Sequence, residues 1–321
     1  MATAVGVQDA WIGIGEESSY GVPVAASRFL YVNSESVRVS EGKVFSGSLN
    51  KVGRNAARQV QGLVSVAGDF SFNPSHSYHA WTMLLKHLLG TVSSAQPDVT
   101  AAPTAYEHTF TPADTLPTGL TIEVGKDVLS HRFEGCKVAS MRVSGSAGQL
   151  LEASVSIIGK DVDSISDSGE SLTEGNLIMC TNTQLDWGGS SNINVSNFDL
   201  SIENALTPRN FVNSRFTLEP LRNGKRRVAG SFTVELEDAT YWADFRNATR
   251  RSLVITCNGS TIAGSYDFET KFTMPVTELQ EGQANLSEGP MTIPCSFESF
   301  YDTTNASEIT VRVRNENSTA V

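Results

Sequence analysis

The sequence has 321 residues, 40% hydrophobic and 18% charged, which excludes an intrinsically disordered chain and fits two ordinary domains or one large one. Its formal net charge of −11 excludes a protein that grips nucleic acid by broad phosphate neutralisation, but not one that contains nucleic acid without holding it. No run approaches the roughly 18 apolar residues that span a bilayer, and no signal peptide opens the chain, so synthesis in the cytoplasm and no membrane partner are expected.

Residues 1–28 carry Gly and Pro punctuation beside apolar side chains and read as an extended arm that packs on a neighbouring subunit, with Trp11, Tyr20 and Pro23 as contacts. A first domain is expected over 29–165. It begins with a strand-like S-E-S-V-R-V-S at Ser34–Ser40 and a polar loop over 41–61, and continues with an alternating run after Ser65. Ser77–Leu89 predicts a helix with Trp81, Leu84, Leu85 and Leu88 on one face, ended by Gly90. Residues 91–118 are Pro-rich and read as an inserted loop. Strands are expected at Leu120–Val124, Met141–Ser146 and Leu151–Ile158, and a Ser-rich acidic linker at 166–175.

The second domain, 176–315, repeats this order. Ser196–Ile202 reads as a strand, 205–226 as a polar loop, and Arg227–Glu235 as an alternating strand. Ala239–Thr249 predicts a helix with Tyr241, Trp242 and Phe245 at helical spacing and Asp238 as its N-cap. Leu253–Cys257 and two later alternating runs follow, before a tail at 316–321. The repeat is most legible in V-A-G-x-F, at Val66–Phe70 and Val228–Phe232, each followed by a turn and an aromatic pair with Trp. The expected fold class is mainly β (α+β): two tandem sheet domains, each with one short flanking helix whose Trp81, Leu84 and Leu85, or Trp242 and Phe245, pack on the sheet.

Catalytic and metal chemistry is sparse. His76, His79 and His87 cluster, and Asp69 or Glu107 is the nearest candidate third ligand, but no metal-ligand spacing supports a site. G-I-G at Gly13–Gly15 lacks the rest of a dinucleotide loop, and Glu235, Glu237 and Asp238 lack the partners of a calcium or glycosidase site. Neither a catalytic set nor a cofactor is expected. Cys136, Cys180, Cys257 and Cys295 read as four buried thiols. Basic loops occupy matched places in the repeat, with Lys51, Arg54 and Arg58 in the first and Arg209, Arg222, Lys225 and Arg226 in the second. In an acidic protein their natural partner is an acidic surface on another copy.

The N-terminal G-I-G-E-E-S-S-Y-G-V-P-V-A-A-S-R-F-L-Y-V, with E-N-A-L-T-P-R-N, L-R-N-G-K-R-R-V-A-G-S-F-T-V-E-L-E-D and Y-W-A-D-F in the second half, resembles the major tail tube proteins of long-tailed (siphovirus-like) bacteriophages. The resemblance implies two tandem tail-tube-like β-sandwich or barrel domains in a structural virion protein. Such proteins stack as rings into a hollow tail, and their inner strands join between subunits around a channel that passes DNA without specific binding. It further implies that the basic loops reach neighbouring subunits or rings, and that Glu235 and Glu237 face the lumen. With a duplicated chain, rings of three copies are expected, or of six if one domain decorates the outside. The implied partners are the tape measure, tail terminator and distal tail proteins. A β-sandwich adhesin or carbohydrate binder is the alternative reading.

Overall fold

The computed structural model describes residues 10–46, 59–126, 130–166, 171, 175–190, 193–284 and 291–321. Period-two alternation of apolar with hydroxyl or charged residues makes most of these segments antiparallel strands. In chain order the first half forms β1 (Ala10–Glu16), β2 (Arg28–Tyr31), β3 (Ser34–Glu35), β4 (Arg38–Phe45), β5 (Gln59–Phe72) and helix α1 (His79–Leu89). It continues with β6 (Gly90–Ala95), β7 (Tyr106–Pro112), β8 (Leu120–Lys126), β9 (Ser130–Ser146), β10 (Glu152–Gly159) and β11 (Asp161–Ile165). The second half forms β12 (Thr183–Trp187), β13 (Val195–Glu203), β14 (Leu206–Arg209), β15 (Leu218–Arg222), β16 (Arg227–Glu235) and helix α2 (Thr240–Arg246). Then come β17 (Arg251–Ala263), β18 (Tyr266–Gly282), β19 (Thr292–Ser299) and β20 (Thr310–Asn315).

Strand pairing follows one plan in both halves. The first runs β4, β5, β10, β9, β8, β1. The second runs β13, β16, β19, β18, β17, β12. The register agrees as well: Gly68 pairs with Ile157 and Gly230 with Phe297, while Val138 and Leu279 continue the row on the next strand. One residue beyond that row each half carries a bulge, at Ala139 and at Gln280, a device that bends a strand and raises its twist.

These ladders account for V-A-G-x-F. Val66, Phe70, Val228 and Phe232 are buried on one face of their strands. The glycines between them lie where the preceding strand comes close: a Cβ at Gly68 would stand 2.5 Å from Val37 Cα, and one at Gly230 would overlap the Asp199 carbonyl oxygen. The buried face of each sheet is covered by its helix. On α1, Trp81, Leu84, Leu85 and Leu88 are all fully buried, and Gly90 turns the chain out with φ 122°, its N–H bonded to the Lys86 carbonyl.

The second helix differs from expectation. It is Tyr241 that is buried, edge-on to Phe232 at 6.2 Å, matching the Phe72–Trp81 edge contact at 6.0 Å. Trp242 is 43% exposed beneath the Arg246 guanidinium, and Phe245 is only partly buried against the core. Aligning the two tryptophans therefore rotates α2 by one residue, about 100° on a helix. Asp238 lies one residue ahead of the N-cap, Ala239, and its carboxylate accepts the Thr240 N–H at 2.8 Å.

The expected N-terminal arm is also different from residue 10 onward. Ala10–Glu16 is a strand between β2 and β8 of its own chain, buried along both faces, which is why it shows no alternation. Trp11 packs edge-on to Phe29 at 5.3 Å. The turn that follows is tied down by Glu17, whose buried carboxylate accepts from Gly21 N, Thr121 Oγ1 and Gly135 N at 2.8–2.9 Å. Residues 91–118, expected as a loop, contain most of the β6–β7 hairpin, in which β7 lies between β6 and β20. Residues 1–9, and most of the expected linker, lie outside the described residues.

Candidate assembly surfaces

The halves are joined by an antiparallel ladder between β9 and β13, from Asn197 opposite Ser146 to Glu203 opposite Ser140. The sheet β4, β5, β10, β9, β13, β16, β19, β18 is therefore continuous across the chain. Beside this seam the buried Asn204 donates from Nδ2 to the carbonyls of Leu88 at 2.8 Å and Val138 at 3.2 Å. Its Oδ1 accepts from Arg226 Nε at 3.0 Å, and Arg226 Nη2 reaches the Leu89 carbonyl at 3.2 Å. The second half thus supplies donors to carbonyls at the end of α1 that a helix leaves unpaired, and places a cation at the negative end of its dipole. Burial pulls the Arg226 pKa down, and Glu308 at 3.0 Å opposes the shift and holds the charge.

The two faces of this sheet have opposite chemistry. The helix side is apolar. The other carries Ser65, Asp69 and Ser71 on β5, Ser154 and Ser156 on β10, Arg142 and Ser144 on β9, Asp199 and Ser201 on β13, Ser231, Thr233 and Glu235 on β16, and Ser296 and Glu298 on β19, each alternating with buried neighbours. Its arginines are matched by carboxylates: Arg142 with Asp199, and Arg227 with Glu298 at 3.2 Å. Glu235 closes β16 as an exposed member of this face. Glu237 lies two residues past the strand's end and is also exposed, with the partly buried Leu236 between the two glutamates; its carboxylate accepts from Asn194 Nδ2 at 2.8 Å.

A third surface is built by two hairpins. The 210–217 turn lies along β5: Val64 N donates to the Arg215 carbonyl at 2.9 Å, Arg215 Nε to the Gly62 carbonyl at 3.3 Å, and Arg215 meets Glu41 at 3.5 Å. Lys137 of β9 pairs with Glu219 at 2.5 Å. This arrangement sets Val44, Phe45, Val60 and Leu63 of one hairpin, and Phe211, Val212, Leu218 and Leu221 of the other, in solvent. Val44 and Val60 are cross-strand partners on one face of the first hairpin, and exposed apolar side chains of this kind mark a contact surface.

The basic loop residues divide in this setting. Lys51, Arg54 and Arg58 lie outside the described residues. Arg209 donates to the Glu219 carbonyl at 2.8 Å within the β14–β15 hairpin, and Arg222 to the Ala113 carbonyl at 3.1 Å. Lys225 is exposed, whereas Arg226 is the internal clasp described above. Of the arm residues, Trp11 is buried, Tyr20 half-buried against Gly135 and Lys160, and Pro23 exposed. The apolar hairpin tips had no sequence marker beyond isolated Val, Leu and Phe in polar loops.

His76 is fully buried, with Nδ1 3.1 Å from Thr270 Oγ1 and its ring 6.1 Å from Phe268. Burial pushes its pKa down to about 4, so it is neutral at pH 7. Among the described residues no group of His, Cys, Asp or Glu is placed to hold a metal ion. All four cysteines are free. Cys136, Cys257 and Cys295 are buried, and burial pushes the thiols of Cys257 and Cys295 up to about 12. Cys180 differs from expectation in being only half-buried, because it lines an open cavity of 810 Å³ beside the β9–β13 seam.

A family model described as phage tail tube protein matches residues 8–299 of the chain. No curated protein matches it.

Proposed function

The chain belongs to the phage tail tube family, and from that premise we propose that three copies close each ring of the tube, each contributing two equivalent sectors. It is a structural protein of the phage virion that self-assembles, with other tail proteins, into the tail tube. The proposal concerns how. The observation that carries it is the eight-strand sheet, in which two sets of four strands with the same pairing and the same bulge are already joined by β9 and β13. We attribute the matched halves to an internal duplication, which turns a sixfold arrangement into a threefold one.

The hydroxyl- and carboxylate-rich face of the sheet is assigned to the lumen. Cations that are already ion-paired add few phosphate contacts, so DNA passes through the tube towards the host without being held. Glu235 and Glu237, exposed on either side of the partly buried Leu236, are assigned to that face. The paired hairpin tips, with their exposed apolar residues, are assigned to contacts with the adjacent ring, together with the basic loop containing Lys51, Arg54 and Arg58. Tape measure, terminator and distal tail proteins are the expected partners, and the host cytoplasm the expected place of assembly. Function is mechanical and rests on assembly, not on turnover of a substrate.

Electron microscopy of the concentrated, purified protein tests the reading. Stacked rings with a central hole of about duplex-DNA width, and threefold symmetry with both halves around that hole, are expected. Sixfold rings with the second half outside would overturn the threefold assignment, and a persistent monomer would overturn assembly through these surfaces.

A further inference from the structure

The seam inside the chain leaves both of its counterparts open. By register, β13 corresponds to β4, since Ser201 pairs with Ala229 as Arg38 pairs with Ala67. In the same way β9 corresponds to β18, with Met141 matching Gly282 and Ser140 matching Glu281. Among the described residues the outer edge of β4 has no partner strand, and neither does the β18 edge from Leu279 to its end at Gly282. Antiparallel edges with unpaired N–H and C=O groups are templates for a further strand.

We propose that β4 of a second copy pairs antiparallel with this edge of β18, placing Ser40 opposite Glu281 and Arg38 opposite Gln283. The inference rests on the tube reading and specifies its lateral contact. The register is that of the internal seam, where Glu203 faces Ser140 and Ser201 faces Arg142. It sets the exposed Glu281 diagonally across from Arg38, whose side chain is 63% exposed and whose Nη1 meets Glu35 of its own chain at 2.9 Å, so that Glu281 would be a second carboxylate on the same guanidinium. Diagonal neighbours on one face of a sheet lie within reach of long side chains. Inside the chain the equivalent strands are joined by Arg142 and Asp199 with the polarity reversed, the cation on β9.

Packing agrees with the charges. Ile202 is buried in the internal seam opposite Met141; its counterpart Val39 is only partly buried and would come opposite Gly282. Next to Gly282 an open recess of about 600 Å³ is lined by Leu236, Trp242 and Ile293. A smaller residue on each strand leaves room for the Trp242 ring, which α2 holds 43% exposed at that edge. The second copy gives this tryptophan its apolar partner.

Cysteine pairs introduced in the full-length chain test the register. Mild oxidation of S40C/E281C is expected to give a covalent ladder that stops at the ring's copy number. S40C/A284C, which places the new thiols on opposite faces of the ladder, and the wild-type chain, with its mostly buried thiols, are expected to give none. A complementary test uses charge: R38E and E281R each raise the protein concentration needed for ring formation by about tenfold, and R38E/E281R restores it. Rings or tubes that form normally without S40C/E281C cross-links, or with charge effects that do not compensate, would overturn this seam while leaving the tube reading intact. Failure of the wild-type chain to form rings would overturn both.

Discussion

At Gly68 and Gly230 the absence of a side chain sets how closely the inner strands approach. Alanine at Gly230 forces its Cβ into the Asp199 carbonyl, so β13 and β16 must separate; G230A is expected to cost about 1–3 kcal/mol, read as a lowered Tm. The two aromatic pairs behave unequally for a similarly local reason. W81A removes a fully buried ring and is expected to cost about 3–5 kcal/mol, whereas W242A leaves the isolated subunit's Tm almost unchanged and weakens ring formation. His76 links stability to acidity. The unfolded chain takes up its proton near the ordinary value of 6.5, while the folded chain resists until about 4. Stability therefore falls as pH drops through that window, by about 3 kcal/mol at most, and levels below it. Melting curves of H76Q between pH 7 and 4 are expected to be shallower than those of the parent.

Elements whose sequence alternates were legible, and β1, which does not alternate, was not. β5, β10, β16 and β19 alternate cleanly because one side meets the core and the other meets water. β1 is covered on both sides, so A-W-I-G-I-G-E offers no period, and its punctuation resembles that of an arm. The β6–β7 hairpin was hidden because its partner β20 comes from the far end of the described chain. The role of Arg226 was hidden for the same reason: its carboxylate partner Glu308 is 82 residues away, so it read as one more basic loop residue. The hairpin tips carry a prediction of their own. F211S/V212S touches residues 49% exposed or more, so subunit stability and lateral rings are expected to persist while stacking into tubes is lost, as sedimentation and microscopy would reveal.

For the whole molecule, the lumen assignment predicts that charge on the sheet's polar face governs how freely DNA moves. S231K and S296K add two cations to this face, opposite Asp199, which Arg142 already holds, and opposite Glu281, and so raise the positive charge that meets DNA phosphate. Phage carrying both substitutions are expected to assemble normal tails and eject DNA more slowly, with the defect relieved by added salt. The strand β20 has a different consequence. It pairs with β7 of the first half and β18 of the second, and Asn315 bonds His108 across 207 residues of sequence. Contacts of such separation form late. During synthesis the first half emerges long before the strand that completes its outer hairpin, so a nascent chain remains unfinished until β20 is made.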